Sequence, residues 1–499
     1  MKVRKEMRYS LYVYLYNMCN TLQEAAEYIQ KSDGGPICYQ LLANCVQVID
    51  RLEKTLQSNK ESIRDKNIFD LLKIIKKQCT DLLGTEGKGL NREEVSKLIE
   101  NIIEFKKLYK GAIDITYRVV FFAELGQKWD SMSSVYDAFK NRKDCDVAVV
   151  LEPIYRAVNL GGTVKTDVIY EDYLTPLGIK HIPYKQYDIS KDNPDLVFIS
   201  NPYESVTLPQ FWPVNIAKYA RLVYLPYYTE RVVDEESIQA HCLMPVVQYA
   251  WRIIAQSQKM KDLHIKYSPK HGENVLVTGL PKWDNINELK EKPNLPDDWK
   301  SKLKNRKVFL WNNHYRIDSD WSTLLEYGKA IIELFSSRND IALIWRPHPM
   351  TETIFKLYYP QYKPFWDGLK EAVKKSDNMV IDKNKSYNLA FQCSDALITD
   401  FSSIMAQYML TEKPILWLRK EQEAKEKRFI DYMIRIDCLE QATSTQEIAA
   451  FVDRIAHGID ATKAQRLKIM QEDMPSADGH IGERVCNLLL EELKKENGI

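Results

Sequence analysis

The sequence has 499 residues, of which 70 are basic and 69 acidic, so no overall field for nucleic acid is implied and none is expected as a partner. That length is too great for one core and predicts two or three domains. The nine cysteines form no Cys-x-x-Cys pair, which fits reduced thiols in a cytoplasmic protein, and no apolar run approaches the roughly 18–20 residues of a membrane span.

In chain order, residues 1–112 read as an all-helical N-terminal region. Leu11–Tyr16 is too short for a signal peptide and lacks a small-residue cleavage site. Lys2, Arg4, Lys5 and Arg8 with the nearby tyrosines leave a peripheral membrane contact open beside the reading of an amphipathic core segment. Thr21-x-x-Glu24 and Asn91-x-x-Glu94 have capping-box spacing. Cys38, Leu41, Leu42, Cys45, Ile49, Leu52 and Leu56 form one helical stripe, Ile68, Leu71, Leu72, Ile75, Cys79 and Leu82 another, closed by Gly84, and Val95, Leu98, Ile99, Ile102 and Ile103 a third.

From Tyr117 short apolar runs alternate with helical stretches, which predicts a parallel α/β domain over 117–260, with a helix from Tyr249 to Met260 leading out. A second α/β series is expected over 270–435, opening with a strand at Asn274–Thr278. Helices over 445–497 are expected to pack across both domains, with an interruption near Met474–Gly482. The fold class is therefore α/β, with two Rossmann-like domains preceded by the helical region.

Ala396–Thr399 reads as a buried strand, followed by the small polar residues Asp400 to Ser403 and then a helix. A capped helix alone would explain that turn. Three other loops also follow predicted strands and carry related chemistry: Gly279 with Asp284; Asn312, His314 and Arg316; and Arg346 and His348. Loops after parallel strands gather at one sheet edge, where ligands bind. Hydroxyls, imidazoles and guanidinium groups there suit a multiply charged anion such as a nucleotide diphosphate. No Walker loop, Gly-x-Gly-x-x-Gly fingerprint, Gly-x-Ser-x-Gly elbow or His/Cys ligand set occurs, so neither a cofactor nor a protein-held metal is expected. His181, His241, His264, His271 and His457 are expected to be structural or exposed.

Ser394-Asp395-x-x-x-Thr399-Asp400-Phe401-Ser402-Ser403, followed by Lys413-Pro414, resembles the signature of the CDP-glycerol glycerophosphotransferases of teichoic acid polymerase type. Arg346-Pro-His-Pro349, Gly279-x-Pro281-x-x-Asp284, and Asp478-Gly479 with Arg484 resemble further elements of that family. Phe121–Glu124 through Ser133–Phe139 resembles its opening strand and helix. The resemblance covers about 117–490 and leaves the N-terminal helices outside.

It implies a GT-B arrangement of two facing Rossmann-like domains, with the acceptor on the first and the CDP-alditol donor on the second. It implies transfer of an alditol phosphate to a polymer or lipid-linked acceptor, at or near the inner face of the cell membrane, with release of CMP. Arg346, His348, Thr399, Ser402 and Ser403 would hold the diphosphate, with Asp400, Gly279, Asp284, Asn312 and Arg316 around it. The family's Trp-His-Gly motif has no counterpart at 221–230, which leaves His314, Glu124 and Glu230 as candidates for the base. His348 is assigned donor contact or leaving-group stabilisation. A GT-B glycosyltransferase using a nucleotide sugar and a non-catalytic nucleotide-sugar or polymer-binding subunit are the alternatives.

Overall fold

The structure is a computed structural model that describes residues 5–58, 60, 63, 65–112, 116–160, 163–230, 232–233, 235–289, 291, 293–317, 321–420, 431–432, 435 and 439–496. Lys2, Arg4 and the Gly161-Gly162 pair lie outside them. The chain forms two compact units. The first comprises the described residues of Met1–Tyr117, Arg142–Asp146 and Leu488–Ile499, and the second those of Arg118–Asn141 and Val147–Asn487.

In the first unit, helices α1 (Lys5–Lys31), α2 (Pro36–Ser58), α3 (Asn67–Leu83) and α4 (Arg92–Ala112) share one apolar core. The expected stripes supply most of it: Leu42, Ile49, Leu52, Leu72, Ile75 and Leu98 are buried, Leu41, Leu71 and Ile99 are half-buried against it, and Ile103 is exposed. Asn91 caps α4 as expected, its Oδ1 accepting from the Glu93 amide at 2.9 Å. Thr21 behaves differently. It lies inside α1, where its Oγ1 donates to the Asn17 carbonyl at 3.0 Å, so the Thr21-x-x-Glu24 spacing marks no helix start. Among the described residues no helix is long and apolar enough to cross a membrane.

The second unit, which takes β1 from Arg118 and β2 from Val147 onward, is built on strands β1 (Tyr117–Ala123), β2 (Cys145–Leu151), β3 (Ile154–Leu160), β4 (Thr163–Ile169), β5 (Ile182–Pro183), β6 (Leu196–Ile199), β7 (Arg221–Tyr224), β8 (Val232–Val233), β9 (Arg252–Ala255) and β10 (Val275–Val277). It continues through β11 (Lys307–Asn312), β12 (Ile341–Trp345), β13 (Met379–Ile381), β14 (Ala396–Thr399), β15 (Ile415–Leu418), β16 (Asp431–Tyr432) and β17 (Glu440–Ala442). Seven strands form one sheet in the order β10-β9-β7-β6-β1-β2-β5, and six form another in the order β13-β12-β11-β14-β15-β17. Neighbours throughout the second sheet run parallel. β3 and β4 make an antiparallel hairpin, and β8 pairs with β16.

Two expected elements move. The helix expected over Tyr249–Met260 is instead strand β9, followed by helix Gln258–Tyr267. β10, expected to open the second series, pairs parallel with β9 in the first sheet. Ile253 and Ile254 are buried in that sheet, so burial beside parallel neighbours decides their conformation over local helical pattern, whereas Val275 lies in a strand as expected and only its sheet differs.

The second sheet fixes its carboxyl edge with aromatic packing. Trp311 and Trp345, paired in register on β11 and β12, stack with ring centroids 5.1 Å apart, and Trp366 meets Trp345 edge-on at 5.0 Å. At about 25 cal/mol per Å², burying each such ring is worth roughly 4–6 kcal/mol. That anchor lies one residue before the loops at Asn312 and Arg346.

Candidate functional site

β11 ends at Asn312 and β14 at Thr399, which are register partners, and β12 ends beside them at Trp345. Three of the expected loops therefore leave one edge together. Asn312 ties them: its Nδ2 donates to the Arg346 carbonyl at 2.8 Å, and its Oδ1 accepts from Ser402 Oγ at 3.3 Å and Thr399 Oγ1 at 3.5 Å. Asn313 accepts from Trp345 Nε1 at 3.0 Å and donates to the His314 carbonyl at 3.2 Å, locking the loop onto the tryptophan pair. Ser403 precedes helix Ile404–Tyr408 and makes no capping side-chain bond. That helix is only one turn and a half long, so its dipole is smaller than the sequence pattern suggests.

Asp400 is buried, and both carboxylate oxygens serve the chain itself. They accept from the His314 amide at 2.8 Å, the Thr323 amide at 3.1 Å and Thr323 Oγ1 at 2.5 Å. Burial pushes its carboxyl up to about 6, while these donors oppose the shift. Its geometry is that of a brace for the His314 loop rather than of a ligand contact.

The two histidines come together. The His314 and His348 rings lie 5.7 Å apart, and each lies 4.6 Å from the Tyr315 ring. Each Nδ1 accepts a backbone amide two residues on, from Arg316 at 3.2 Å and from Met350 at 3.1 Å. A nitrogen that accepts carries no proton, so both neutral rings hold their hydrogen at Nε2. The Arg316 side chain is exposed. Arg346 is held by an ion pair with the fully buried Asp382 and by donation from Nη2 to the Lys385 carbonyl at 3.1 Å.

Gly279 and Asp284 are placed differently. Gly279 has φ +83°, and a Cβ there would stand 2.8 Å from the Ser476 Cβ. Asp284 accepts from the amides of Ile481 at 2.8 Å and Gly482 at 2.7 Å, at the start of helix Ile481–Glu496. Arg484 closes the same corner on Asp478 at 2.6 Å and the Ser476 carbonyl at 2.7 Å. The Gly279–Asp284 and Asp478–Arg484 motifs thus clasp each other. Asp284→Ala is expected to destabilise the protein by about 1–2 kcal/mol, the usual value of a lost helix cap, seen as a lower melting temperature with donor affinity unchanged.

The first sheet presents a second set. Glu124 follows β1 and pairs with Lys128 Nζ at 2.6 Å, and Lys128 lies 4.5 Å from the centroid of the Tyr227 ring. Glu152 follows β2, its amide donating to the Ala123 carbonyl at 2.8 Å. Sequence reasoning missed Glu152, Lys128 and Tyr227, because an acidic residue directly after a strand is ordinary and the burial of Glu152 is a property of the folded sheet. Glu230 is tied through its backbone to the Gln256 amide at 2.8 and 2.9 Å. His264 is buried and His241 half-buried, their rings lie 5.8 Å apart, and desolvation lowers both to about 4. A side chain bridges the loops of the two sheets, Tyr387 donating to Asp130 at 3.0 Å, and Lys282, after β10, donates to the Tyr227 carbonyl, after β7, at 2.7 Å within the first sheet. Among the described residues no group of three or more His, Cys, Asp and Glu side chains could hold a metal ion.

With this geometry in view, likeness to known proteins is informative. Residues 239–491 match the family described as CDP-glycerol:poly(glycerophosphate) glycerophosphotransferase. The minor teichoic acid biosynthesis protein GgaB of Bacillus subtilis is 25% identical over 161 residues, 30% of this chain and only 16% of that protein. Among solved structures, a UDP-N-acetylglucosamine 2-epimerase from Listeria monocytogenes described as putative superposes with TM-score 0.51 at 13% identity, covering 76% of this chain and 97% of the other. The S. aureus MnaA–UDP structure gives 0.50 at 16% identity, covering 76% and 97%. A variant of the wall teichoic acid polymerase TagF gives 0.50 at 12% identity, covering 77% and 90%. At these identities the solved structures establish the fold, two Rossmann-like halves of GT-B type, and no more. The match across half of the sequence establishes the rest: this chain is a member of the CDP-glycerol:poly(glycerophosphate) glycerophosphotransferase family.

Proposed function

We propose that the chain transfers an alditol phosphate from a CDP-activated donor to a hydroxyl of a cell-envelope polymer or lipid-linked acceptor, releasing CMP. The observation that carries this reading is the pair of imidazoles with hydrogen fixed at Nε2, set at the same sheet edge as Thr399, Ser402 and Arg346. N–H and O–H donors around a guanidinium form a receptor for a diphosphate, and their dipoles offset the charge that develops on departing CMP. The second sheet then carries the donor and the first the acceptor. Family membership supports the donor class, and likeness to a teichoic acid biosynthesis protein supports the acceptor class. The same reading puts the reaction at the inner face of the cell membrane, where a lipid-linked acceptor is met.

The test is a thermal-shift series with CDP-glycerol, CDP-ribitol, CMP and several UDP- and GDP-sugars, followed by product analysis. A donor at a hundred times its dissociation constant stabilises the folded state by about 2.7 kcal/mol. A CDP-alditol is expected to raise the melting temperature most, and CMP to appear on turnover. A released nucleoside diphosphate would indicate a glycosyltransferase, and binding without turnover a non-catalytic subunit.

A further inference from the structure

Glu124, Glu152 and Asn201 follow the ends of β1, β2 and β6, which lie side by side in the first sheet. Each is buried. Glu124 is engaged by Lys128 at 2.6 Å, the two side chains being 3% and 14% exposed. Glu152 Oε2 and Asn201 Nδ2 are buried with no hydrogen-bond partner among the described residues. The Tyr173 hydroxyl, likewise buried and unpartnered, lies close enough to interact with both carboxyls. Unpaired buried polar atoms are costly, and several at one sheet edge signal a place made for a polar group.

We propose that this edge receives the acceptor hydroxyl and that Glu124 removes its proton, with the buried Glu152 beside it as a positioning residue. The inference rests on the transferase reading above. The acceptor oxygen forms a bond to the donor's β-phosphorus, and the β-phosphorus–oxygen bond to CMP breaks, its electron pair leaving on CMP. The hydroxyl proton passes to the Glu124 carboxylate. Access runs past Lys128, the more exposed partner, whose ammonium stays near as a counter-charge.

The environments of the two carboxyls separate their roles. Burial, reinforced by the Glu124 charge and opposed by Lys128, raises Glu152 well above the ordinary carboxyl range. A neutral Glu152 donates a hydrogen bond, while the ion-paired Glu124 accepts a proton. The groups that act on Glu152 are Glu124 and Lys128, and its charge acts in turn on Tyr173.

The experiment uses the full chain with CDP-glycerol as donor and a poly(glycerol phosphate) oligomer as acceptor probe, reading CMP release and, separately, donor binding by thermal shift. E124Q is expected to bind CDP-glycerol within twofold of the parent and to lose about 10²–10⁴-fold in turnover. E152Q imitates the neutral acid. It is expected to bind donor normally and to lose the change in the parent's pH–rate profile that ionisation of Glu152 produces. If E124Q does not fold, E124D, which keeps the charge but withdraws it by one methylene, is expected to fold and to lose turnover. Parental turnover in a folded E124Q or E124D, or an E152Q profile identical to the parent's, would overturn the inference while leaving donor binding standing. A parent that binds no CDP-alditol would overturn the donor reading and this inference with it.

Discussion

Arg346→Ala is expected to destabilise the protein by roughly 3–5 kcal/mol before any substrate is added, because it strands a buried charge. The Arg346 side chain is 11% exposed and its ion-pair partner Asp382 is 0% exposed. Two bonds from Asn384, its amide at 2.9 Å and its side chain at 2.8 Å, remain to the Asp382 carboxylate but supply no counter-charge. A loss of donor binding in the single variant would therefore mix two causes. The double variant Arg346→Ala/Asp382→Asn separates them, since it removes both charges together. It is expected to recover much of the melting temperature and none of the donor affinity, because the guanidinium proposed to meet phosphate is still missing. Lys383→Ala, at an exposed neighbour outside the motifs, is expected to change neither. Parental CDP-alditol affinity in the folded double variant would remove Arg346 from the donor site.

That pairing shows where sequence reasoning stops. Arg346 stands out in its Pro-flanked motif because its surroundings are local. Its partner Asp382 lies 36 residues on, and only the parallel pairing of β12 with β13 brings them together. Asp284 is a stronger case. Its spacing from Gly279 suggests a ligand loop, yet its carboxylate caps a helix start 197 and 198 residues away. Asp400 reads as part of a polar turn because small polar residues surround it, while the structure turns it inward onto Thr323 and the His314 amide. In each case residue type and local conformation were legible, but the direction of the carboxylate depended on non-local chain.

The same limit applies to the strands. β12 and β14 were legible because each is a continuous apolar run bounded by turn residues. β10 was legible as a strand too, but its place in the first sheet rests on its pairing with β9, and β9, set in a stretch of helical pattern, is defined only by its parallel neighbours. Glu152 escaped notice for a related reason. An acidic residue after a strand is ordinary, and what distinguishes this one is burial beside Glu124, a property of the folded sheet.

Substitutions at His314 are expected to separate two roles that its position alone leaves open. As a general base the ring needs a bare nitrogen facing the acceptor hydroxyl. Its one bare nitrogen in the neutral form, Nδ1, already accepts the Arg316 amide at 3.2 Å, and the His314 amide is itself fixed on Asp400 at 2.8 Å. The ring is thereby oriented as an Nε2–H donor, and His348 is set the same way by Met350 at 3.1 Å. A glutamine side-chain amide places an N–H donor near the imidazole Nε2 position but takes up no proton at neutral pH. His314→Gln is therefore expected to keep donor affinity and turnover within about tenfold of the parent. His314→Ala, which deletes the donor, is expected to lose roughly 10- to 150-fold in donor affinity, the value of a hydrogen bond to a charged group. If His314 were the base instead, glutamine and alanine would both lose about 10²–10⁴-fold in turnover with donor affinity preserved. Parallel His348→Gln and His348→Ala variants are expected to repeat the first pattern, because the two rings share one tautomer and one sheet edge.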